Sequence, residues 1–244
     1  MPAFSVAARN VTNGEFLRFV LDGGYADRAL WQDEDWTWQK HAQLAHPLLW
    51  SKKSAAAPDQ FLLRTTFAEV PLPLDWPAQV SLAEARAYLR YVARRGLHGA
   101  RLLDEAEYHR AAYGTPDGAA PERAFAWGDA APVPLVHGNF GCARYDYAPV
   151  GAFPAGDSAF GVADLCGNGW EWTRTPFAPF QGFAIDPLYA GYSQPFFDGK
   201  HFVMKGASAR TDTLFLRRSF RNWFQPHYPY VFASFRCAYD AGAR

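Results

Sequence analysis

Apolar residues recur every three or four positions in three segments of the first half of the chain, which predicts three amphipathic helices. Each segment opens with an oxygen-bearing side chain followed three positions later by glutamate, the arrangement of a capping box. The three pairs are Thr12 with Glu15, Ser81 with Glu84, and Asp104 with Glu107. Each segment ends at glycine, at positions 23–24, 96 and 114, where a left-handed backbone would close the helix.

The pattern changes after about position 115. Proline and glycine recur every few residues, helical spacing disappears, and short apolar or aromatic pieces alternate with turns. We predict short strands at 149–153, 202–204 and 231–235, joined by long loops that pack on aromatic side chains. The stretches 51–59 and 114–122 are small, polar and proline-containing, and we interpret both as surface loops. The expected fold is α+β, with few helices, short strands and long structured loops.

Composition limits the kinds of partner. The 244 residues include 24 Lys+Arg and 24 Asp+Glu, so the formal net charge is zero and gives no electrostatic footprint for nucleic acid or an anionic membrane. No apolar run approaches the roughly 20 residues that span a bilayer. Three cysteines without C-x-x-C spacing argue against a disulfide framework. Since the first residues also lack a leader pattern, we expect a soluble, cytoplasmic protein.

The tract 167–173, GNGWEWT, fits the periodicity of neither a helix nor a strand. Three more irregular motifs follow, KGAS at 205–208, RRSFRNW at 217–223 and FRCA at 235–238. Polar side chains in such tracts usually hydrogen-bond to nearby backbone groups. We therefore expect Asn168, Trp170, Glu171 and Trp172 to be structural.

Five motifs in order make the chain resemble the formylglycine-generating-enzyme-like (sulfatase-modifying factor) domain family. They are VTNGEF at 11–16, VSLAEARAY at 80–88, LDEAEY at 103–108, GVADLCGNGWEW at 161–172, and the finish from KGAS to FR at 235–236. The resemblance covers nearly the whole chain. It implies a single domain, 1–244, with a C-type-lectin-like α+β fold rich in irregular loops.

Two details separate the branches of this family. Copper-dependent formylglycine-generating enzymes carry two reactive cysteines between the last two motifs. Here no cysteine lies between Lys205 and Phe235, and Cys237 follows the closing motif, so formylglycine generation is not expected. Other segments instead resemble the sulfoxide synthases of ergothioneine, ovothiol and selenoneine biosynthesis, the EgtB type. These segments are 14–25, 30–31, 172–183, 192–197 and 217–223.

The second resemblance implies an oxidative reaction that joins a thiol or selenol donor to histidine or its trimethylated betaine at nonheme iron(II), using O2. In that group three histidines of a preceding helical bundle hold the iron. The seven histidines here have no such spacing, so we expect no metal ligands in this chain and iron(II) only with a bundle that the sequence lacks. Such a bundle could be a separate subunit, or the chain could be a truncated reading frame or a relative that lost the iron centre. The alternative is a noncatalytic ligand-binding or structural C-type-lectin-like module.

The resemblance places substrate-binding residues near the end of the chain. Trp223 matches a tryptophan that lies against the trimethylammonium group, an interaction that the electron-rich face of an indole favours. The alternative is that Trp223 is a core aromatic. Phe224 and Tyr228 stand where relatives have an aspartate and an arginine near the sulfur donor. The donor should therefore differ, or be held elsewhere.

The arginines Arg218 and Arg221, with Arg217, leave two interpretations open. They either clamp a carboxylate ligand bidentately, or brace Glu171 or Asp164 in a buried network. A site containing Trp223, Arg221, Phe224, Tyr228 and Arg218 is the substrate-binding set that we predict.

The resemblance implies two further features of the loops. In some relatives the matching asparagine contributes to a structural calcium site, so calcium is a candidate ligand at Asn168. Some synthases use a tyrosine after the tryptophan–glutamate–tryptophan motif as a proton donor. Phe177 and Phe180 stand in that loop, so such a tyrosine would have to come from elsewhere.

Overall fold

The computed structural model describes residues 1–54, 56–118 and 121–242. Its helices are α1 (Asn13–Leu21), α2 (Asp33–His41), α3 (Leu82–Ala93) and α4 (Glu105–Tyr113). The three predicted helices are confirmed as α1, α3 and α4, and each begins with a complete capping box. None of the described helices is long and apolar enough to cross a membrane.

The glycines that follow these helices differ in backbone conformation. Gly23 and Gly96 have φ of 80° and 101°, the left-handed backbone that glycine adopts without strain. Gly114 has φ of −80°, so its expected left-handed conformation is wrong. Glycine fits there for space instead, because a Cβ would lie 2.8 Å from the backbone carbonyl oxygen of Arg110.

Helix α2 was not predicted from the sequence. Its nine residues, DEDWTWQKH, are mostly polar, and Gln32 at its N-terminus makes no side-chain cap. The charges follow the helix dipole, with acidic residues in the first turn and Lys40 and His41 in the last. Asp35 and Gln39, one turn apart, are its buried residues, and Trp36 and Trp38 are half-buried against the core, so α2 shows no apolar spacing of three and four.

Nine strands form three sheets in the described part of the chain. The strands are β1 (Phe4–Val6), β2 (Trp50–Ser54), β3 (Ala57–Arg64), β4 (Glu69–Pro71), β5 (Trp170–Pro176), β6 (Phe202–Gly206), β7 (Asn222–Phe224), β8 (Ala233–Ser234) and β9 (Ala238–Asp240). β1 pairs with β9, the order β2-β3-β4 is antiparallel, and the four-stranded sheet has the order β7-β6-β5-β8. In that sheet only β8 runs parallel to its neighbour.

Two strand predictions and one loop prediction need correction. The strand predicted at 149–153 is a turn, because Gly151 has φ of 72° and its N–H is bound by Asp164 at 2.6 Å. The strand predicted at 231–235 is reduced to the two residues of β8, whereas 202–204 lies in β6 as predicted.

The loop predicted at 51–59 is a β-hairpin formed by β2 and β3, with position 55 outside the described residues. The polar side chains near its tip are mostly exposed, whereas Trp50, Phe61 and Leu63 at its base are buried in the main core. The other predicted loop, 114–122, has neither helix nor strand at its described positions, and positions 119–120 lie outside the description.

The main core lies where α1 and α3 pack on the four-stranded sheet. Phe16 stacks on Tyr88, with ring centroids 5.4 Å apart, and both contact Phe235 beside β8. Trp172 of β5 is 2% exposed and donates its indole N–H to the Val80 carbonyl at 3.0 Å. This bond ties the start of α3 to β5 of the sheet that carries Trp223.

Candidate functional site

Trp223 lies on β7, the edge strand of the four-stranded sheet, opposite Val203 of β6. Its half-buried indole lines an aromatic cavity of about 570 Å³. We call this cavity, lined also by Phe177, Phe180, Phe183, Tyr192, Phe197, Arg217 and Arg221, the Trp223 pocket. Trp223 is therefore neither fully buried in the core nor free on the surface.

Three aromatic rings fix the indole of Trp223. Phe177 is stacked on it with centroids 4.1 Å apart and 7° between the planes. Tyr192 meets it edge-on at 5.3 Å, and Phe196 is tilted against it at 5.6 Å. Such ring pairs each add about 0.5–1.5 kcal/mol beyond area burial, so the indole is oriented before any ligand binds.

Arg221 also lines the Trp223 pocket, but its guanidinium already has a partner. Its Nε and Nη2 donate to the two carboxylate oxygens of Glu105, each at 2.8 Å, and Nη1 donates to the Ala178 carbonyl. The guanidinium carbon lies 4.2 Å from the ring centroid of Phe180. The expected brace on Glu171 or Asp164 is thus wrong for Arg221, because the N-terminus of α4 brings Glu105 closer.

Arg218 lies in a different place from Trp223. It donates to the Glu122 carbonyl at 2.9 Å and lines a separate cavity of about 530 Å³ that also contains His109. Arg217 lines both cavities and is exposed. Of the three arginines, Arg217 is therefore the one with an exposed guanidinium beside the Trp223 pocket.

Phe224 and Tyr228 do not line the Trp223 pocket. Side chains alternate along a strand, so Phe224 lies on the opposite face of β7 from Trp223. There it stacks on Tyr228, with centroids 4.6 Å apart and 12° between the planes. The structure brings Trp223 and Arg221 together and separates both from Phe224, Tyr228 and Arg218.

The GNGWEW tract is packed tightly into the protein. Gly167 and Asn168 both have positive φ, 97° and 65°, which turns the chain into β5. The Asn168 side chain accepts from the Ala148 N–H at 2.9 Å and donates to the Ala148 carbonyl at 3.1 Å. Trp170 stacks on Phe220, with ring centroids 5.7 Å apart, in the turn that leads to β7.

Glu171 pairs with Arg236, a residue that was not considered as its partner. Both are buried, at 2% and 1% exposure, and Arg236 Nε donates to Glu171 Oε2 at 2.7 Å. Arg236 also donates to the Asn10 side chain and to the Ala163 carbonyl. Arg236 is the arginine of the FR motif at 235–236, and the motif indicates the family without indicating that this arginine pairs with Glu171.

Lys205 supports the segment that carries Trp223. Its Nζ donates to the carbonyls of Arg218 and Phe220, at 2.9 and 2.7 Å, and lies 4.0 Å from Glu105. Burial lowers the pKa of this ammonium to about 8, with Glu105 acting in the opposite direction. Sequence reasoning treated Lys205 only as part of a motif.

The residues in 1–54, 56–118 and 121–242 contain no group of three or more His, Cys, Asp and Glu side chains that could hold a metal ion. They therefore do not fit a three-histidine iron site. Both polar ends of the Asn168 amide already bond to the protein backbone, and calcium at this residue stays a prediction.

The fold defines a C-type-lectin-like α+β domain, in which irregular loops on small sheets carry an aromatic pocket. The chain belongs to the sulfatase-modifying factor enzyme 1-like domain family, which matches residues 1–241. The solved structure of Treponema denticola variable protein 1 is similar at 14% identity and a TM-score of 0.60, covering 97% of this chain and 84% of that one. This similarity shows the fold alone.

Two curated relatives are also similar over most of the chain. A hercynine oxygenase of Mycobacterium tuberculosis is 38% identical over 242 residues, covering 98% of this chain and 53% of the relative. Ergothioneine biosynthesis protein 1 of Schizosaccharomyces pombe is 27% identical over 241 residues, covering 96% of this chain and 25% of the relative. The chain spans about half the length of the first relative and a quarter of the second.

Proposed function

We propose that this domain binds a histidine betaine for an oxidative step of ergothioneine- or selenoneine-type biosynthesis, in the manner of a sulfoxide synthase. The similarity to a hercynine oxygenase and to an ergothioneine biosynthesis protein supports the pathway. The observation that carries the proposal is the position of Trp223, a pre-oriented indole in the wall of an aromatic pocket.

The two charges of a betaine match the Trp223 pocket. The trimethylammonium group lies against the indole, where a cation gains roughly 0.5–2 kcal/mol. The carboxylate pairs with Arg217, because the charge of Arg221 is already neutralised by Glu105. The aromatic walls offer apolar contacts to the rest of the ligand.

The proposed reaction joins the imidazole carbon of the betaine to the sulfur or selenium of a thiol or selenol donor. One C–H and one S–H bond are lost, one oxygen atom of O2 stays on sulfur, and the other leaves as water. Iron(II) would supply the oxygen chemistry. Since the described residues do not fit a three-histidine site, we place the iron on a helical bundle, either a separate subunit or another part of a longer polypeptide. A cytoplasmic location stays a prediction.

The second candidate is a noncatalytic ligand-binding module. Two observations favour it: Phe224 and Tyr228 are stacked uncharged rings, and Arg221 is occupied by Glu105. This module would bind the betaine at Trp223 and perform no chemistry. The two candidates therefore differ in turnover and not in betaine binding.

Calorimetric titration with trimethylhistidine tests the binding, and reconstitution tests the reaction. We expect saturable binding that weakens in Arg217→Gln and is unchanged in Arg95→Gln, an exposed arginine on another face. The domain is then mixed with a histidine-bearing bundle, iron(II), O2 and a thiol donor, and mass spectrometry looks for the sulfoxide. Binding without any product would support the ligand-binding module, and absence of betaine binding would overturn both.

A further inference from the structure

A small cavity of about 190 Å³ lies at the other edge of the four-stranded sheet from the Trp223 pocket. The end of β3 and the segments 76–79, 146–147 and 230–232 form its walls. Segment 230–232 leads into β8, whereas Trp223 lies on β7, and these two edges are three strand spacings or roughly 14 Å apart. The two sites share no lining residue. We call this second site, lined by Arg64, Thr66, Trp76, Gln79, Arg210 and Phe232 among others, the Arg64 cavity.

Arg64 brings a positive charge without a protein partner to this cavity. Its backbone N–H donates to the Leu49 carbonyl at 2.8 Å, which fixes the end of β3. The exposed side chain makes no hydrogen bond or ion pair with any residue that the structure describes. Glu69 stands opposite Arg64 in the β3–β4 pair, but it accepts from Ser51 Oγ at 3.1 Å instead. All five N–H donors of this guanidinium are therefore available to a ligand.

Arg210 is a second cation in the cavity lining, and its neighbours hold it in one orientation. Its guanidinium carbon lies 4.2 Å from the ring centroid of Phe232, and its Nε donates to the Tyr145 carbonyl at 3.4 Å. Nη2 donates to Thr66 Oγ1 at 2.6 Å. The Thr66 hydroxyl donates in turn to Asp146 Oδ1, also at 2.6 Å, and so stands between the two charges. Nη1 of Arg210 makes no hydrogen bond within the described ranges, so this edge of the guanidinium is open.

Gln79 contributes an unpaired polar atom from the core side of the cavity. The residue is 8% exposed, and its Nε2 donates to the Val231 carbonyl at 3.1 Å. Its Oε1 accepts no hydrogen bond from the described residues, and it is not one of the unpaired atoms that are closed off from solvent. Amide oxygens of buried side chains are hydrogen-bonded in most proteins, so Oε1 points to a ligand or a water that donates to it.

The other walls of the Arg64 cavity are mostly apolar. They consist of Leu49, Leu63, Trp76, Pro77 and Phe232. A concave site with apolar walls and a few convergent polar groups is the usual form of a small-molecule site. The volume is about that of six waters in the liquid, so the ligand is small.

We propose that the Arg64 cavity binds a small aromatic carboxylate. Two arginines and one aspartate line the cavity, so the net charge of the lining favours an anion. The ligand carboxylate accepts from Arg64 and Arg210, and the ring packs on the apolar walls. A hydroxyl on the other end of the ring donates to Gln79 Oε1. An inorganic anion would leave the apolar walls in contact with water, and an uncharged ring would leave both guanidinium groups without an acceptor.

Calorimetric titration of the full chain with 4-hydroxybenzoate tests the site. Benzoate lacks the hydroxyl of this probe, 4-hydroxybenzamide lacks its charge, and inorganic phosphate lacks its ring. We expect 4-hydroxybenzoate to bind saturably, 4-hydroxybenzamide and phosphate to bind at least tenfold more weakly, and benzoate to lose a smaller factor. Saturating trimethylhistidine should leave the affinity for 4-hydroxybenzoate unchanged, because the two sites share no residue.

Arg64→Gln is the decisive variant. It should weaken 4-hydroxybenzoate binding at least tenfold and remove most of the preference for the acid over the amide. The Arg64 side chain bonds to nothing in the described part of the chain, so the melting temperature should stay that of the wild type. Arg95→Gln, the same change at an exposed position on another face, should leave the binding unchanged. Arg210→Gln should also weaken the binding at least tenfold, and thermal unfolding checks that this variant is folded.

Three results would overturn the site. They are no saturable binding of 4-hydroxybenzoate to the wild type, equal affinities for the acid and the amide, and equal effects of Arg64→Gln and Arg95→Gln. Displacement of the probe by trimethylhistidine would also overturn it, because the probe would then occupy the Trp223 pocket. Trp223→Leu should weaken betaine binding and leave 4-hydroxybenzoate binding unchanged, so the site and the proposed function are tested separately.

Discussion

The indole of Trp223 is stacked on the ring of Phe177, with centroids 4.1 Å apart and 7° between the planes. Phe177 is 4% exposed and begins the loop that follows β5, so the support for Trp223 comes from the core side of the pocket. An aromatic ring that is already ordered loses little conformational entropy when a ligand binds. The pair therefore fixes the orientation of the indole before a ligand binds.

Replacing Trp223 should weaken betaine binding and also lower the stability of the protein. In Trp223→Leu, affinity for trimethylhistidine should fall about 2- to 30-fold, the equivalent of a lost cation–π contact, with less effect on histidine. The melting temperature should also fall, because the indole makes three ring contacts that each add about 0.5–1.5 kcal/mol. Calorimetric titration and thermal unfolding check both points.

Trp36→Leu is the matched control for that variant. Trp36 is also half-buried, but Lys40 of the chain itself lies 4.1 Å from its ring centroid. Its indole is therefore already used, and the variant should bind the betaine like the wild type. Equal loss in the two variants, or no loss in either, would contradict a cation site at Trp223.

Removing the charge of Glu171 should be costly. Glu171→Gln would leave the guanidinium of Arg236 charged in a buried position, which typically costs about 3–5 kcal/mol of unfolding free energy. Urea unfolding measures the loss. Asp33→Asn removes an exposed partner of Arg28 and should change stability little. A small effect of Glu171→Gln would show that the ion pair is replaceable and that β5 is held by packing.

Local signals in the sequence were sufficient for part of the fold. The capping boxes of α1, α3 and α4 involve residues three positions apart, so the sequence alone specifies them. Helix α2 escaped prediction because its two buried side chains, Asp35 and Gln39, are polar, and the β2–β3 hairpin because the residues near its tip are polar. Their stability depends on contacts with distant parts of the chain, such as the bond between Asp35 and His227.

The site was predicted only in part for the same reason. The motif was sufficient to predict Trp223 as a site residue. The same motif contains several arginines, and the neighbouring sequence does not indicate which carboxylate pairs with each of them. Arg221 pairs with Glu105 across 116 positions, and Glu171 pairs with Arg236 across 65. The packing of α4 and β5 determines these ion pairs, and the spacing of the residues along the chain does not.

The three cysteines should differ sharply in reactivity. Cys142 is exposed, whereas burial raises the pKa of Cys166 to about 12 and that of Cys237 to about 11. Since the thiolate is the reactive form, an aromatic disulfide reagent at pH 8 should label one thiol in the native protein and three in denaturant. Cys142→Ser should abolish native labelling. Rapid native labelling of two or more thiols would contradict the packing around β9 and the 166–169 turn.

Lys205 should give the protein a stability that rises with pH above neutrality. Its pKa is about 8 in the folded state because burial disfavours the ammonium, and it returns to its ordinary value of 10.5 on unfolding. Between these values the unfolded chain binds more protons, so the unfolding free energy increases as the pH rises. Relative to Lys205→Met, the wild type should gain about 2 kcal/mol between pH 7 and pH 9.5. Urea unfolding of both proteins at several pH values measures their unfolding free energies. Subtracting one from the other cancels the titration of the tyrosines and thiols that both proteins contain. Lys52→Met, at an exposed position of β2, is the control and should show the same pH dependence of the unfolding free energy as the wild type. If the pH dependence of Lys205→Met is also parallel to that of the wild type, the Lys205 ammonium keeps its ordinary pKa in the fold.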